Sequence, residues 1–431
     1  MDRYVVQPGA PLSGSTRVSG MTKNAGLKQM AAALLAPGVT TLRNMTPVAD
    51  LDVMADLLEA IGARVERRDD VVRIDTAAEL TPEAPYEHVR RMRASINVLG
   101  PLLARYGRAR VAMPGGDNIG SRKLDMHFGA LTAMGAELDV RGGFIEARCN
   151  ALGGTRVVLD FPSVGATETV LTTAVLAKGE TVIDNAAREP EVADLCCQLQ
   201  EMGANVEGVG TATLRVEGVT ELTPTDRAIV GDRIEAGTLL FATAIAGGDV
   251  VVEGVPFVHL ETVARKLAAM GVTVTPAPDG IAVGADGRPG PVDVQTLPFP
   301  GFATDFMPLA VAALTTSTGT AIVTENVFDH RFAFVGELNR MGADVRTEGR
   351  HAIVRGVPRL SGAPVRVPDV RAGAALLLAG LGADGPTTVF DTHHVERGYA
   401  DLPARLRALG ADVTRESEPP REDLRDWRRW Q

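Results

Sequence analysis

Lysine is nearly absent from this chain of 431 residues: five of its 44 basic residues are lysines and 39 are arginines, so each lysine is individually informative, Lys23 above all. Cysteine is as scarce. Cys149, Cys196 and Cys197 are too few and too badly spaced for a disulfide framework, and are expected to be reduced, buried and inert. Long apolar runs are missing as well. The longest, Ala372 to Ala383, falls far short of the roughly 20 residues a membrane span needs, and the start MDRYVVQPGA has no apolar h-region. A cytoplasmic protein with no membrane partner is expected. There is no surplus of positive charge: the net charge of −10 weighs against nucleic acid as a partner, and any anionic ligand must find its cations locally. No HExxH motif or metal-type cysteine pair occurs, and His393 and His394 are adjacent, so no metal is expected. No P-loop, dinucleotide fingerprint or GxSxG elbow occurs either, and no cofactor is expected.

What is present is a folded composition, 45% apolar and 23% charged, at a length that suggests two domains of about 200 residues. The pattern Leu-x-x-apolar-Gly-small-x-apolar occurs six times: LEAIGARV (58–65), LTAMGAEL (131–138), LQEMGANV (199–206), LAAMGVTV (267–274), LNRMGADV (338–345) and LRALGADV (406–413). The glycines are 73, 68, 68, 71 and 68 residues apart, too regular for chance. Each copy reads as an amphipathic helix ending in a glycine of positive φ, followed at once by a strand. Each unit also carries a helix apolar on nearly every side: MAAALLA (30–36), INVLGPLLA (96–104), VLTTAVLA (170–177), LLFATAIA (239–246), PLAVAAL (308–314) and GAALLLAGL (373–381). Such helices must be buried. The expected architecture is α/β, two pseudo-threefold domains of three units of about 70 residues, helices inside and sheets outside. The polar segment 219–233 is the expected crossover, and a ligand site is expected in the cleft between the domains. The end of the chain, 415–431, departs from the pattern and reads as a polar tail.

Four segments interrupt the repeats with chemistry. In SGMTKNAG (19–26), Lys23 and Asn24 precede an apolar helix, where a cation and helix amides make an anion site; a solvated lysine is an equally good reading. MPGGDNIGSRKLDMH (113–127) is a Gly-rich loop carrying Asp117 toward Arg122, suited to a lid whose carboxyl exchanges protons. In PFPGFATDFMP (298–308), Asp305 is either a helix N-cap, the stronger reading from the residues alone, or a base. Arg93, Arg331, Arg371 and Arg397 each stand just before a helix or loop and suit bidentate recognition of phosphate or carboxylate.

Together KNAG (23–26), MRAS (92–95), PGGDNIGSRKLDMH (114–127), SVGAT (163–167), DNAAREPEV (184–192), GDRIEAGT (231–238), FATDFMP (302–308), TENVFDHRF (324–332), DVRAGA (369–374) and ERGY (396–399) resemble the enolpyruvyl transferases over nearly the full length, in particular the branch acting on UDP-sugars. The resemblance implies a two-domain inside-out α/β barrel whose first domain is discontinuous, 1–21 with 232–431, the other being 22–231. It implies transfer of the enolpyruvyl group of phosphoenolpyruvate to the 3-hydroxyl of UDP-N-acetylglucosamine, with release of phosphate. Asp117 matches the family's proton donor, Lys23, Arg122 and Arg397 its phosphoenolpyruvate cations, and Asp305 its base. Asn24, Arg93, the run Arg122, Lys123, Leu124, Asp125 and Met126, the run Phe161, Pro162, Ser163 and Val164, and Val327 match its nucleotide-sugar contacts, and Arg331 and Arg371 join the substrate-binding set. The chain also departs from the pattern. Asp117 stands where many members carry the cysteine that fosfomycin alkylates, which implies resistance; SGMTKN is one residue longer than SGxKN; Asn97 replaces a frequent aromatic, and Phe161 a lysine of some members. A shikimate-phosphate enzyme, a paralogue acting on another nucleotide, and a noncatalytic regulatory paralogue are the alternatives.

Overall fold

The structure, a computed structural model, describes residues 2–9, 11–116 and 119–417. Six four-stranded sheets form its outside, each following one plan. In the third unit, for example, Arg156–Val158 runs parallel to Glu180–Asp184, which pairs antiparallel with Thr213–Glu217, itself antiparallel to Asn205–Glu207. Strands half-buried on one face alternate, as in Thr320–Thr324 and Thr213–Glu217, so the sheets cover a core without being part of it on both sides.

The inside is helical because no other place suits the apolar helices. All eight residues of Met307–Leu314 and all twelve of Val370–Leu381 are buried, and these two pack against each other and against Arg233–Ala246. Leu99–Tyr106 and Val164–Ala174 pack together in the same way in the other half. The apolar residues fall into two cores, one spanning Leu27 to Ile229 and one joining Tyr4 to Ala25 with Ile234 to Val413. The inside-out six-repeat barrel read from the periodicity is the architecture observed. The repeat glycines Gly62, Gly135, Gly203, Gly271, Gly342 and Gly410 all take φ between +88° and +108°, as helix-terminating residues should. No described helix is long and apolar enough to cross a membrane.

The sheets also show how the chain closes on itself. Asp226–Ala228 pairs with Val39–Arg43, Leu12–Arg17 with Gly248–Glu253, and Asp2–Val6 inserts between Thr387–Phe390 and Val413–Ser417. The expected tail therefore needs correction. Residues 415–417 are strand, pairing with Asp2–Tyr4, and only their alternating charges, matched by Arg3–Glu416 and Arg415–Asp2, made them look like a tail. Residues 418–431 lie outside the described residues. The cysteine expectation also needs adjusting: Cys196 is buried, its thiol pushed up to about 12 by burial, but Cys149 and Cys197 are only half-buried.

The two chain passages between the cores lie side by side. Gly20 and Gly231 form an antiparallel bridge, flanked by Met21 N donating to Val230 O and Asp232 N to Ser19 O, both at 2.8 Å. A Cβ on Gly231 would stand 1.9 Å from the carbonyl oxygen of Gly254, and one on Gly20 1.6 Å from that of Asn44. Backbone against backbone cannot rotate away. Gly231→Ala should cost about 1–3 kcal/mol, seen as a fall of several degrees in the thermal unfolding midpoint; an unchanged midpoint would show that the crossing is not tightly packed.

Candidate active site

A cleft of about 660 Å³ lies between the two halves. Its lining follows from the repeat: residues at the starts of the buried helices reach it, Lys23 and Asn24, Arg93, Ser163, Arg233, Thr304 with Asp305, and Asp369 with Arg371. Helix N-termini carry partial positive charge, so six of them converging add to the side-chain cations in favouring an anion. Three are closed by carboxylate or hydroxyl caps: Ser163 accepts from Ala166 N, Asp232 from Ile234 N and Glu235 N, and Asp369 from Arg371 N and Ala372 N.

Two carboxylates organise the cations. Asp50, whose side chain is 1% exposed, accepts from Lys23 Nζ and from Arg397 Nε at 2.9 Å, joining residues from opposite halves. Burial alone would raise its carboxyl, but the Lys23 and Arg397 charges and hydrogen bonds hold it below the ordinary value. Asp305 lies between Arg331 Nη2 at 3.1 Å and Arg371 Nη2 at 3.2 Å, with Asn24 Nδ2 at 3.4 Å. Burial again opposes, and the charges of Arg371, Arg331 and Arg233 overcome it, keeping the carboxyl far below the usual range. The N-cap reading of Asp305 is thereby corrected: Ala303 is the N-cap there, and the Asp305 carboxylate faces guanidinium groups. Arg331 Nε and Arg371 Nη1 are buried with no hydrogen-bond partner among the described residues, spare cationic donors on either side of Asp305.

Arg93 donates to the Arg122 carbonyl, and burial followed by the Arg122 charge lowers its pKa to about 10. Phe328 has a guanidinium from each half beside its ring, Arg122 and Arg331, both 5.7 Å from the centroid. Lys123, Asp125, Met126, Phe161, Pro162, Val164 and Val327 also line the cleft. Leu124 does not: it is 5% exposed and belongs to the core of its half. Asp117 lies outside the described residues. Close to it in sequence, the loop is fastened across the cleft, Ser121 N donating to Asp329 Oδ1 at 2.9 Å.

The extra residue of SGMTKN is absorbed locally. Thr22–Gly26 forms a π-helical turn, wider than an α turn, with Thr22 Oγ1 anchored to the Thr46 carbonyl at 2.8 Å, and Lys23 still meets Asp50. Asn97 is accounted for too: its amide donates at 2.7 Å to Glu168, a buried carboxylate that also pairs with Lys28. Glu168, Glu189, Glu191, Arg233 and His127 line the cleft but were not singled out from the sequence, and the Asp50 beneath its cations was missed as well. Asp50 resembles the dipole-compensating acid of an ordinary helix first turn, whereas Arg233 could have been found, since it precedes a buried helix like the other site residues.

The sequence model of the family described as EPSP synthase (3-phosphoshikimate 1-carboxyvinyltransferase) matches residues 6–406. The chain belongs to the enolpyruvyl transferase family. A protein of Corynebacterium jeikeium named UDP-N-acetylglucosamine 1-carboxyvinyltransferase is 51% identical over 414 residues, covering 96% of this chain and 99% of its own. A relative of the same name from Trichlorobacter lovleyi is 46% identical over 420 residues, covering 97% and 100%. Among solved structures, the enolpyruvyl transferase NikO from Streptomyces tendae superposes with a TM-score of 0.86 at 26% identity, covering 97% of this chain and 99% of that one. EPSP synthase from Acinetobacter baumannii, at 19% identity with a TM-score of 0.72 over 97% of this chain and all of that one, shares the fold.

Asp50 yields a test of the site's electrostatics. A depressed carboxyl contributes stability above its unfolded pKa, near 3.8, and loses it as pH falls through the lower folded value. Asp50→Asn should therefore destabilise by a constant amount from pH 8 to pH 5, and the difference should shrink below about pH 4. Denaturant melts across that range check this; a difference that instead grows toward acid pH would contradict the assignment.

Proposed function

We propose that this enolpyruvyl transferase moves the enolpyruvyl group of phosphoenolpyruvate to the 3-hydroxyl of UDP-N-acetylglucosamine and releases phosphate, the first committed step of peptidoglycan synthesis. The observation that carries the reading is the 46–51% identity, over 96–97% of this chain, to relatives bearing the name UDP-N-acetylglucosamine 1-carboxyvinyltransferase. The enolpyruvyl transferase NikO is far more distant in sequence, at 26%. We further assign residues 1–21 with 232–431 to one domain and 22–231 to the other. Both substrates are water-soluble anions, and we place the reaction in the cytoplasm.

The chemistry needs a proton delivered to C3 of the enol, a new bond from the sugar oxygen to C2, then loss of phosphate from C2 as C3 gives up a proton and the double bond returns, with cations for a carboxylate and a phosphate and a base for the hydroxyl proton. Lys23, Arg122 and Arg397 suit the phosphoenolpyruvate anion, and Arg331 and Arg371 carry the spare donors. Asp117 is assigned proton delivery from its sequence match. Asp305 is assigned the base, although it is weakly basic while two arginines hold it. An anion that engages the spare donors of Arg331 and Arg371 shares their positive charge with Asp305 and lets its carboxylate recover basicity. The nucleotide-sugar assignments rest on the family match and, Leu124 excepted, on their place in the cleft, and the Asp117 assignment rests on the match alone.

Phosphate release from phosphoenolpyruvate, measured with UDP-N-acetylglucosamine against other UDP-sugars and UMP, tests the acceptor; turnover with another acceptor in preference would replace this reading. Asp305→Ala should cut turnover by about 10²–10⁴, and turnover at the wild-type rate would remove Asp305 from the mechanism. A carboxylate is a much poorer nucleophile than a thiolate toward an epoxide. The protein should accordingly resist fosfomycin while Asp117→Cys stays active and becomes sensitive. A covalent mass increase at Asp117 after incubation of the unaltered protein with the drug would refute this.

A further inference from the structure

Glu189 is a buried carboxyl for which the chemistry above has no task. It stands just before the Pro190–Glu201 helix on the cleft wall and is 8% exposed. Its Oε1 accepts the backbone amide of Phe299 from the other half at 3.1 Å. Its Oε2 is buried and has no hydrogen-bond partner among the described residues. Two residues on, Glu191 shows the contrast: its two oxygens take Arg233 Nη2 at 2.9 Å and Nε at 3.0 Å. That bidentate pairing commits Arg233 to Glu191. A buried acceptor left unmet is costly, and such groups in folded proteins have partners.

The surroundings select the chemistry of the missing partner. An anion would meet the charge of two neighbouring carboxyls. Burial, and after it the Glu191 charge, raise the Glu189 carboxyl above its ordinary value, so a neutral group able both to give and to take a hydrogen bond suits it. Phe299, whose amide Glu189 holds, belongs to the segment that leads into Asp305, so the two carboxyls line the same cleft from opposite halves. A sugar hydroxyl meets both requirements.

We propose that Glu189 is an acceptor-binding residue whose unbonded Oε2 takes the hydrogen bond of a sugar hydroxyl other than the one that reacts. The inference rests on the acceptor reading above. It makes the sugar, and not only its nucleotide, a group recognised by a carboxyl of the 22–231 half and reacted by a carboxyl of the other.

The test is steady-state kinetics with UDP-N-acetylglucosamine and its 4-deoxy and 6-deoxy analogues, on wild type and Glu189→Ala. The variant should raise the KM of the parent acceptor about 10- to 100-fold, the range of a hydrogen bond to a charged group, and leave the KM of phosphoenolpyruvate within about twofold. For one deoxy analogue the wild type should already show that rise and the variant add nothing to it. An unchanged acceptor KM overturns the proposal, and so does a variant that weakens both analogues as much as the parent, which assigns the loss to the Phe299 contact. Glu189→Gln keeps an oxygen for Phe299 and is judged on the same panel if the alanine variant does not fold. A wild type that releases no phosphate with any of the three acceptors overturns the acceptor reading itself, whereas wild-type turnover with an indifferent variant overturns only the role of Glu189.

Discussion

A helix with no polar side must be surrounded, and this molecule contains six of them. In each half three such helices pack against one another, so the sheets are displaced outward and every connection from sheet to helix runs to the ends of the bundle. Threonines inside the inner helices bond back to their own backbone, and the ends are where charged residues find room. Each helix starts with its positive end and a polar or charged residue at the cleft, which turns a packing constraint into an anion site. A chain of net charge −10 thus concentrates cations where two halves face each other.

The same constraint explains what could be read before folding. Buried helices and terminating glycines are local features repeated at a fixed interval, so the six units and the inner and outer layers were legible. Strand exchange was not. That Asp2–Val6 completes the last sheet, with residues 415–417 as its charged outer neighbour, depends on two ends of the chain meeting in space, and nothing in either segment announces it.

The site divides in the same way. Residues before inner helices, such as Lys23, Arg93, Ser163, Asp305 and Arg371, are marked by their position, and all of them line the cleft. Leu124 falls within a matched run yet turns into the core, because a run in sequence fixes neighbours along the chain and not the side each faces. Asp50 shows the opposite error. It lies in the first turn of the amphipathic Ala49–Ile61 helix, and only the meeting of the halves brings it beneath both Lys23 and Arg397. Partners of cations are long-range facts, whereas the cations themselves are local ones.

Asp50 and Asp305 place opposite demands on the same design. Each neutralises two cations in the cleft, so the apparent surplus of positive charge is smaller than the arginine count suggests. At Asp50 the carboxylate lies under its cations with a side chain only 1% exposed, while Lys23 and Arg397 keep 19% and 17%, so an anion can reach the cations without displacing their partner. At Asp305 the exposure is reversed: the carboxylate is 24% exposed and both arginines only 4%, so the carboxylate itself faces the ligand. The first arrangement holds cations in place; the second keeps a carboxylate ionised and only weakly basic. An anion that draws on Arg331 and Arg371 weakens their hold on Asp305 and raises the proton affinity of its carboxyl. Coupling of this kind needs no movement of the backbone, only a carboxylate and an anion sharing the same guanidinium groups.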